Sequence, residues 1–579
     1  MDNITIAKTF SAMADMLEIV GENRFRVNAY RRAAETVEAS THDVCTRSKK
    51  QLMEIPGIGE DLSDKIIEMS KTGVCKECEQ LKKKVPEGLL EVLRVESIGP
   101  KTARLLWKKF RVVSMMGLER LLSTGKLEGA RGFGVKKVAN FKRGLEIHER
   151  FRGRQPLGYV LPLAEKIIQA LRTSKLCEEV EIAGSLRRGK ETVGDIDILV
   201  TSREPQKAMD FFVVLPQIKM IEQKGETKAR VILTSGIACD FRVVAPEAFG
   251  AALYYFTGSK EHNVQARTMA VKNGLTVNEY GVFKVQSRKS IKSKVKNVER
   301  VAGKTEEEVM RAIGLPWIPP ELREDRGEIE AALVGKLPKL IEEKYIRGNL
   351  HMHSNWSDGE ETMEAMVRAS KRKGYEYVAL TDHASSMGMV KGTKEHTVDR
   401  YIRMVRAVEK KVGGIHVLAG AEVDIEKDGS LYLSDKSLAK LDFVVASMHL
   451  YLKQDRATAT KRLIRAMENP YVDCIGHCTS RSLGKREPMD LDMEAVMKAA
   501  KRTGTIMELN AHWVRLDLND IHARLAKEYG VTLSISTDAH TVVESSMMRY
   551  GIVTARRAWI EKKNVINTLP WKEFQKMLY

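Results

Sequence analysis

Between Gly184 and Val200 the chain reads GSLRRGKETVGDIDILV, with Asp195 and Asp197 two residues apart in a stretch that otherwise has the character of a buried strand. Alternate strand side chains share a face, so the two carboxylates project side by side from backbone positions about 6.5–7 Å apart. Like charges that close do not both ionise cheaply, and a pair of divalent metals roughly 4 Å apart relieves them. Just upstream, Gly184, Ser185, Arg187, Arg188 and Gly189 form a turn whose amides, hydroxyl and guanidinium groups suit a polyphosphate. A phosphate cradle beside metal-binding carboxylates implies nucleotidyl transfer. A third carboxylate, Asp240, lies in a later strand-like run with Arg242 two residues on, and it completes a metal triad if that strand neighbours the first.

A second constellation lies further along. Ten of the thirteen histidines fall between His351 and His540, where short apolar runs alternate with longer helical patterns. That alternation predicts a parallel α/β barrel. The strand ends read NLHMH with Asp358 just beyond, then LTDH, GAE, SMH, IGH, ELN and STDAH, which brings His351, His353, His383, Glu422, His449, His477, Asp538 and His540 to matching places. Barrel active sites form at the C-terminal ends of strands, where residues distant in sequence converge. One histidine there is commonly structural; six, with two aspartates and a glutamate, read as a metal cluster for phosphoester hydrolysis. His396, His416, His512 and His522 fall off the pattern and read as bystanders.

Other elements must position these groups on a substrate. At 579 residues the chain is long enough for about three to five domains. A formal charge of +19, with 30% charged residues of both signs, favours a folded protein with a polyanionic partner. No apolar run reaches the ~18 residues of a membrane span and no signal-like core opens the chain, so no membrane partner and a cytoplasmic location are expected. The seven cysteines form no disulfide framework, and Cys75 and Cys78 make a CxxC with no second pair at zinc spacing. Residues 1–150 read as short amphipathic helices broken by IPGIG (Gly57, Gly59), ESIGP (Gly99, followed by Lys101) and RGFGV (Gly132, Gly134). These resemble helix-hairpin-helix motifs, whose free amides at a helix N-terminus hold a DNA backbone phosphate without reading sequence. Ser97 stands where the second copy prefers glycine.

Together with the segment YYFTGS at 254–259, these motifs make residues 1–315 resemble a family X DNA polymerase, the group of DNA polymerase beta. The resemblance implies helical N-terminal domains (1–80 and 81–150), a nucleotidyltransferase palm with a mixed sheet (151–245) and a thumb (246–315). It implies that Asp195, Asp197 and Asp240 hold two magnesium or manganese ions, Asp240 helping to deprotonate the primer 3′-hydroxyl. Gly184, Ser185, Arg188 and Gly194 would contact a deoxynucleoside triphosphate, and Tyr255, Phe256 and Gly258 would form a pocket that disfavours a ribose 2′-hydroxyl. Asn263 and Arg267 would read minor-groove edges of gapped or primer-template DNA. The family can also carry a 5′-deoxyribose phosphate lyase, and alignment puts Lys65 at its nucleophile position. Here Asp61 and Glu77 replace the expected basic residues and would raise a lysine pKa, which argues against that activity.

Residues 316–344, with four prolines at 316, 319, 320 and 338, read as a linker, and 345–579 resembles the PHP domain, a distorted (β/α)7 barrel. That resemblance implies three ions of zinc, manganese or iron. The expected grouping is His351, His353, Glu422 and Asp538 on one, Glu422, His449 and His477 on the second, and Asp358, His383 and His540 on the third. A multidomain α and α/β monomer is expected, a gap-filling repair polymerase with 3′–5′ exonuclease, 3′-phosphatase and abasic-site endonuclease action. The competing readings are a DNA-binding nuclease or phosphatase with a weak or inactive polymerase half, a non-catalytic DNA-binding scaffold, and a polymerase whose PHP domain is a small-molecule phosphatase. The intact aspartate triad speaks against the first, two complete metal constellations against the second, and the basic chain against the third.

Overall fold

A computed structural model describes all residues except 1–2, 40–43, 56, 94, 96–97, 131, 151–152, 285–298, 386–391 and 579. Residues Pro56, Glu96, Ser97 and Arg131 of the three glycine hairpins therefore lie outside the described set. The chain forms two compact units, residues 1–152 with 484–487, and 153–483 with 488–579.

The first unit is helical, as its glycine-punctuated amphipathic pattern predicts. Phe10, Tyr30, Ile66, Leu106, Phe133 and Phe141 are buried in one continuous core. Gly57 and Gly132 have φ of +86° and +97°, a region open to glycine at little cost. Gly59 caps helix Glu60–Thr72 and Gly99 caps Pro100–Phe110, neither with a side-chain hydrogen bond, so the first-turn amides keep their donors. Among the described residues, and apart from each glycine's own chain neighbours, no heavy atom stands within 4 Å of where a Cβ would be on Gly59, Gly99, Gly132 or Gly134, which leaves those turns open to close approach.

The second unit contains a five-stranded mixed sheet. Its order is Val180–Ala183, Asp195–Val200, Ala238–Val243, Lys228–Leu233 and Ile218–Lys224, with only the second and third strands parallel. Strand Ile218–Lys224 is absent from the sequence reading because most of it is exposed and polar, leaving no alternation to detect. Next come helices Phe249–Thr257 and Lys260–Lys272 and a small antiparallel sheet.

The stretch expected as a linker, 316–344, is folded instead. Ile318, Leu322, Ile329 and Leu340 are buried in the core formed with Tyr254, Ala266, Val309 and Met310, and residues Glu328–Leu333 are helical. Pro319 and Pro320 open the short helical turn Pro320–Leu322 within this packed structure, which is therefore no spacer.

The remainder is a nearly closed parallel barrel. Seven strands follow one another from Gly348–Asn349 to Leu533–Ser536, and the two-residue strand His383–Ala384 adds an eighth beside Glu422 and Val423. A parallel bridge between Met352 and Ala539 draws the first and last strands together. Helices between the strands start at side-chain caps such as Asp455, Asp492 and Asn519. Barrel and five-stranded sheet share a core: Leu483, Leu516 and Tyr550 are buried in the same apolar cluster as Leu157, Ile167 and Ile196. Arg549 pairs with Glu165 at 3.1 Å and Arg481 with Glu191 at 2.7 Å across this seam.

Candidate active sites

Parallel pairing of Asp195–Val200 with Ala238–Val243 puts Asp197 directly opposite Asp240, and Asp195 leads the same strand. All three carboxylates predicted from spacing are thus brought together. Burial, then the neighbouring charges of Asp195 and Asp240, push the Asp197 carboxyl up to about 7. Asp240 is buried, and among the described residues its Oδ1 has no hydrogen-bond partner, the nearest cation being Lys228 at 3.8 Å. An orphaned carboxylate oxygen beside a raised aspartate fits a divalent cation site. Arg230, on the adjacent strand, donates to Asp240 Oδ2 at 2.7 Å. Sequence reading missed Arg230 because its approach depends on antiparallel register alone.

Gly184 lies in the left-handed region at φ +65°, and any Cβ there would collide with the Asp197 carboxylate. The turn that follows, Gly184–Arg187, is helical and feeds the two arginines in different directions. Arg188 donates from Nη1 to the Thr257 carbonyl at 2.8 Å and from Nε to Glu324 at 2.9 Å. Arg187, expected in the phosphate cradle, is instead tied to the Glu306 carboxylate at 2.6 and 2.8 Å and to the Thr257 hydroxyl at 2.8 Å. It fastens the cradle to helix Phe249–Thr257 rather than facing a substrate.

That helix ends at Gly258, where a Cβ would press on Asn263 Oδ1 at 2.5 Å. Asn263 donates to the Tyr255 and Gly258 carbonyls at 2.7 and 3.2 Å, so its amide nitrogen closes the turn, while its Oδ1 is buried without a partner. Arg267 Nε donates to the Asn263 carbonyl at 3.2 Å. Tyr255 and Phe256 meet edge to face at 5.2 Å, and the Arg242 guanidinium lies 4.4 Å from the centre of the Phe256 ring. The turn is held from below by a buried chain: Tyr254 Oη is 3.1 Å from His262 Nε2, and His262 Nδ1 is 2.6 Å from Glu328.

In the first unit Lys65 is paired with Asp61 and, at 3.0 Å, with Glu77, which also accepts from the Tyr30 hydroxyl at 3.0 Å and pairs with Arg26. Burial opposes the charge on Lys65, but the two carboxylates outweigh it and raise the ammonium pKa above its ordinary value.

At the barrel mouth, ligand atoms converge in three overlapping groups: His351, His353, Glu422 and Asp538; His353, Asp358, His383 and His540; and His383, Glu422 and His449. The first contains the expected four and the second contains its expected three with His353 added. The third pairs Glu422 and His449 with His383 in place of His477. His477 still approaches Glu422, its Nε2 lying 2.8 Å from Oε1. Burial, followed by neighbouring cationic groups, lowers His353 and His477 to about 3, whereas nearby carboxylates outweigh burial and raise His351, His383, His449 and His540. Burial alone would raise Glu422; His449, His383 and His351 around it hold the carboxyl well below the usual range. Five imidazoles, those of His351, His353, His383, His449 and His477, stand 2.8–3.5 Å from the buried Glu422 oxygens, yet among the described residues neither oxygen makes a well-aligned hydrogen bond, nor do ring nitrogens of His353, His383 and His477. Such orphaned donors and acceptors fit divalent metals. Cys75 and Cys78 join no comparable group among the described residues, and burial pushes the Cys78 thiol up to about 11.

A supporting shell orients these ligands and was only half visible in sequence. His351 Nδ1 lies 2.8 Å from Glu508, which also accepts the His477 amide at 2.7 Å, and His449 Nδ1 lies 2.7 Å from Asp424. Asp382 accepts from Ser354 and Ser357, and Asn510 donates to Asp538 at 3.1 Å. Asp424 follows Glu422 at the strand period of two, a signal that could have found it.

Comparison with known proteins covers both sites. Residues 157–237 match the DNA polymerase beta palm, 252–324 the DNA polymerase beta thumb, 1–75 a helix-hairpin-helix domain and 349–512 the PHP domain. Over 575 residues, 99% of this chain and 98% of the other, it is 35% identical to DNA polymerase/3′-5′ exonuclease PolX of Bacillus subtilis (strain 168). It is 24% identical over 343 residues, 56% of each chain, to DNA polymerase lambda of Rattus norvegicus. A probable phosphatase of Thermoanaerobacter sp. (strain X514) is 30% identical over 218 residues, 36% of this chain and 84% of that one.

Proposed function

The chain belongs to the family X DNA polymerases that carry a PHP domain, and from that membership we propose how its two acidic clusters divide the work. It is a DNA-directed DNA polymerase with a 3′–5′ exonuclease, acting on DNA and deoxynucleoside triphosphates in repair. The observation that carries the division is the pairing of Asp197 with Asp240 in one sheet, with a separate buried His/Asp/Glu cluster in the barrel.

At the first site Asp195, Asp197 and Asp240 would hold two magnesium or manganese ions, whose charge activates the primer 3′-hydroxyl and neutralises the triphosphate. Asp240 takes part in removing the hydroxyl proton, and its partner Arg230 balances the charge. Ser185, Gly194 and Arg188 receive the triphosphate; Tyr255, Phe256 and Gly258 crowd the sugar, and Arg267 with Asn263 faces the minor groove. Gly57, Gly59, Gly99, Lys101, Gly132 and Gly134 hold DNA backbone phosphates irrespective of sequence.

At the second site the nine ligands would hold three ions of zinc, manganese or iron, which supply hydroxide and neutralise phosphate oxygens during hydrolysis. Glu508 and Asp424 fix the tautomers of His351 and His449. Likeness to probable phosphatases favours removal of 3′-phosphates as a further action of this site. The chain works as a monomer in the cytoplasm. Among the described residues, no helix is long and apolar enough to cross a membrane.

Elemental analysis of the purified protein, followed by stripping and reloading with zinc, manganese or iron, tests the second site. Restoration of exonuclease at about three ions per chain supports the assignment; full exonuclease in stripped protein with magnesium alone contradicts it.

A further inference from the structure

One buried carboxylate joins the nucleotide cradle to the PHP barrel. Glu324 Oε1 receives Arg188 Nε and Arg557 Nη1, each at 2.9 Å, while Lys190 Nζ stands 3.4 Å from Oε2. Arg557 closes helix Met548–Arg557 of the barrel and is buried. Its Nη1 also donates to the Arg188 carbonyl at 2.7 Å, and its Nε and Nη2 reach Asp520 at 3.1 and 2.8 Å. Arg326 joins Asp520 at 2.9 Å. The same barrel helix seats against the cradle turn, since a Cβ on Gly189, at φ +67°, would collide with Val553.

We propose that Arg557 is a positioning residue for DNA synthesis: a PHP-domain side chain that, with Glu324, fixes Arg188 for the incoming triphosphate. Arg188 is held on two sides, by Glu324 at Nε and by the Thr257 carbonyl at Nη1, and Nη2 has no hydrogen-bond partner among the described residues. Arg557 grips Arg188 twice, directly at its carbonyl and indirectly through the shared carboxylate, so backbone and guanidinium are set together. Charge supports the same reading. Four cations, Arg188, Lys190, Arg326 and Arg557, surround two carboxylates, Glu324 and Asp520, and the surplus positive charge suits a polyanion next door. Burial raises the Glu324 carboxyl, but Arg557 and Arg188 more than offset it and hold it below its ordinary range. Charge-assisted bonds in a buried setting are stiff and directional, which is what orienting a guanidinium demands. The barrel is thereby a structural part of the polymerase site, independent of its own metal ligands.

The proposal rests on Arg188 as a triphosphate contact, so the experiment separates the two. Single-nucleotide gap filling by the full chain is measured for wild type, Arg188→Ala, Arg557→Lys, Glu324→Gln and the Arg557→Lys/Glu324→Gln double variant, with exonuclease assayed on the same preparations. Arg557→Lys and Glu324→Gln should each raise the KM for deoxynucleoside triphosphate about tenfold, with kcat and the KM for DNA within about twofold and exonuclease intact. The double variant should be no worse than either single one. If Arg188→Ala leaves the nucleotide KM unchanged, the reading of Arg188 fails and this proposal with it. If Arg188→Ala raises that KM while the other two do not, or if they depress synthesis and exonuclease together, only the positioning role of Arg557 is overturned. Should Arg557→Lys prove insoluble, Glu324→Gln alone decides by the same criteria.

Discussion

Gly184 and Asp197 occupy one another's space: the glycine, at φ +65°, lies where any Cβ would strike the aspartate's Oδ2. The turn at Gly184 and the strand that carries Asp195 and Asp197 are therefore a single construction, and the glycine serves the carboxylate as much as the turn. Gly184→Ala should reduce nucleotide addition at least ~100-fold, because displacement of the Asp197 carboxylate by about 1 Å is enough to spoil alignment. Exonuclease activity of the same protein should be unchanged, and primer extension beside strand degradation checks both.

The raised Asp197 carboxyl makes stability depend on pH in a defined direction. With its folded pKa near 7 against an ordinary 3.8, the folded state holds the proton more tightly than the unfolded one. That stabilisation is complete below pH ~4 and is lost as pH rises through ~7. Chelated wild-type protein should lose stability across this window, whereas Asp197→Asn should be flatter and more stable at pH 8 by ~2 kcal/mol. Thermal melts with chelator check this, and added magnesium should stabilise wild type more than the variant.

Glu508 touches His351 rather than any expected ion, so its loss should act through metal affinity. Glu508→Gln removes the anion from the 2.8 Å contact with His351 Nδ1. About 10–100-fold more manganese should then be required for half-maximal exonuclease, with polymerase activity unaffected. Metal titration of both activities measures the split.

Lys65 is held by Asp61 and Glu77 with its pKa raised, the reverse of what a Schiff-base nucleophile requires. Borohydride trapping on a 5′-deoxyribose phosphate end should give little adduct at Lys65. Efficient trapping there would overturn the reading of those two acids.

Much of both sites was legible because the signals are local and periodic. Asp195 and Asp197 announce a shared face by spacing alone, and the barrel histidines recur at successive strand ends. What stayed hidden depends on register or long-range contact. Arg230 meets Asp240 only through antiparallel pairing, and the commitment of Arg187 to Glu306 spans 119 residues. Substitution of His383 for His477 beside Glu422 and His449 turns on side-chain approach within the mouth, which strand-end position does not resolve. The segment 316–344 misled because proline and charge mark turns as readily as spacers, and its buried aliphatic residues, Ile318, Leu322, Ile329 and Leu340 among them, are too unevenly spaced to show a period.

If one chain adds and removes nucleotides at two independent metal sites, a substitution in each should separate the two activities. Asp197→Ala and His351→Ala, each as full-length protein, should be assayed side by side on one gapped duplex with a labelled primer. Asp197→Ala should abolish extension and leave 3′–5′ degradation largely intact, and His351→Ala should do the reverse. Loss of both activities in either folded variant would contradict two independent sites.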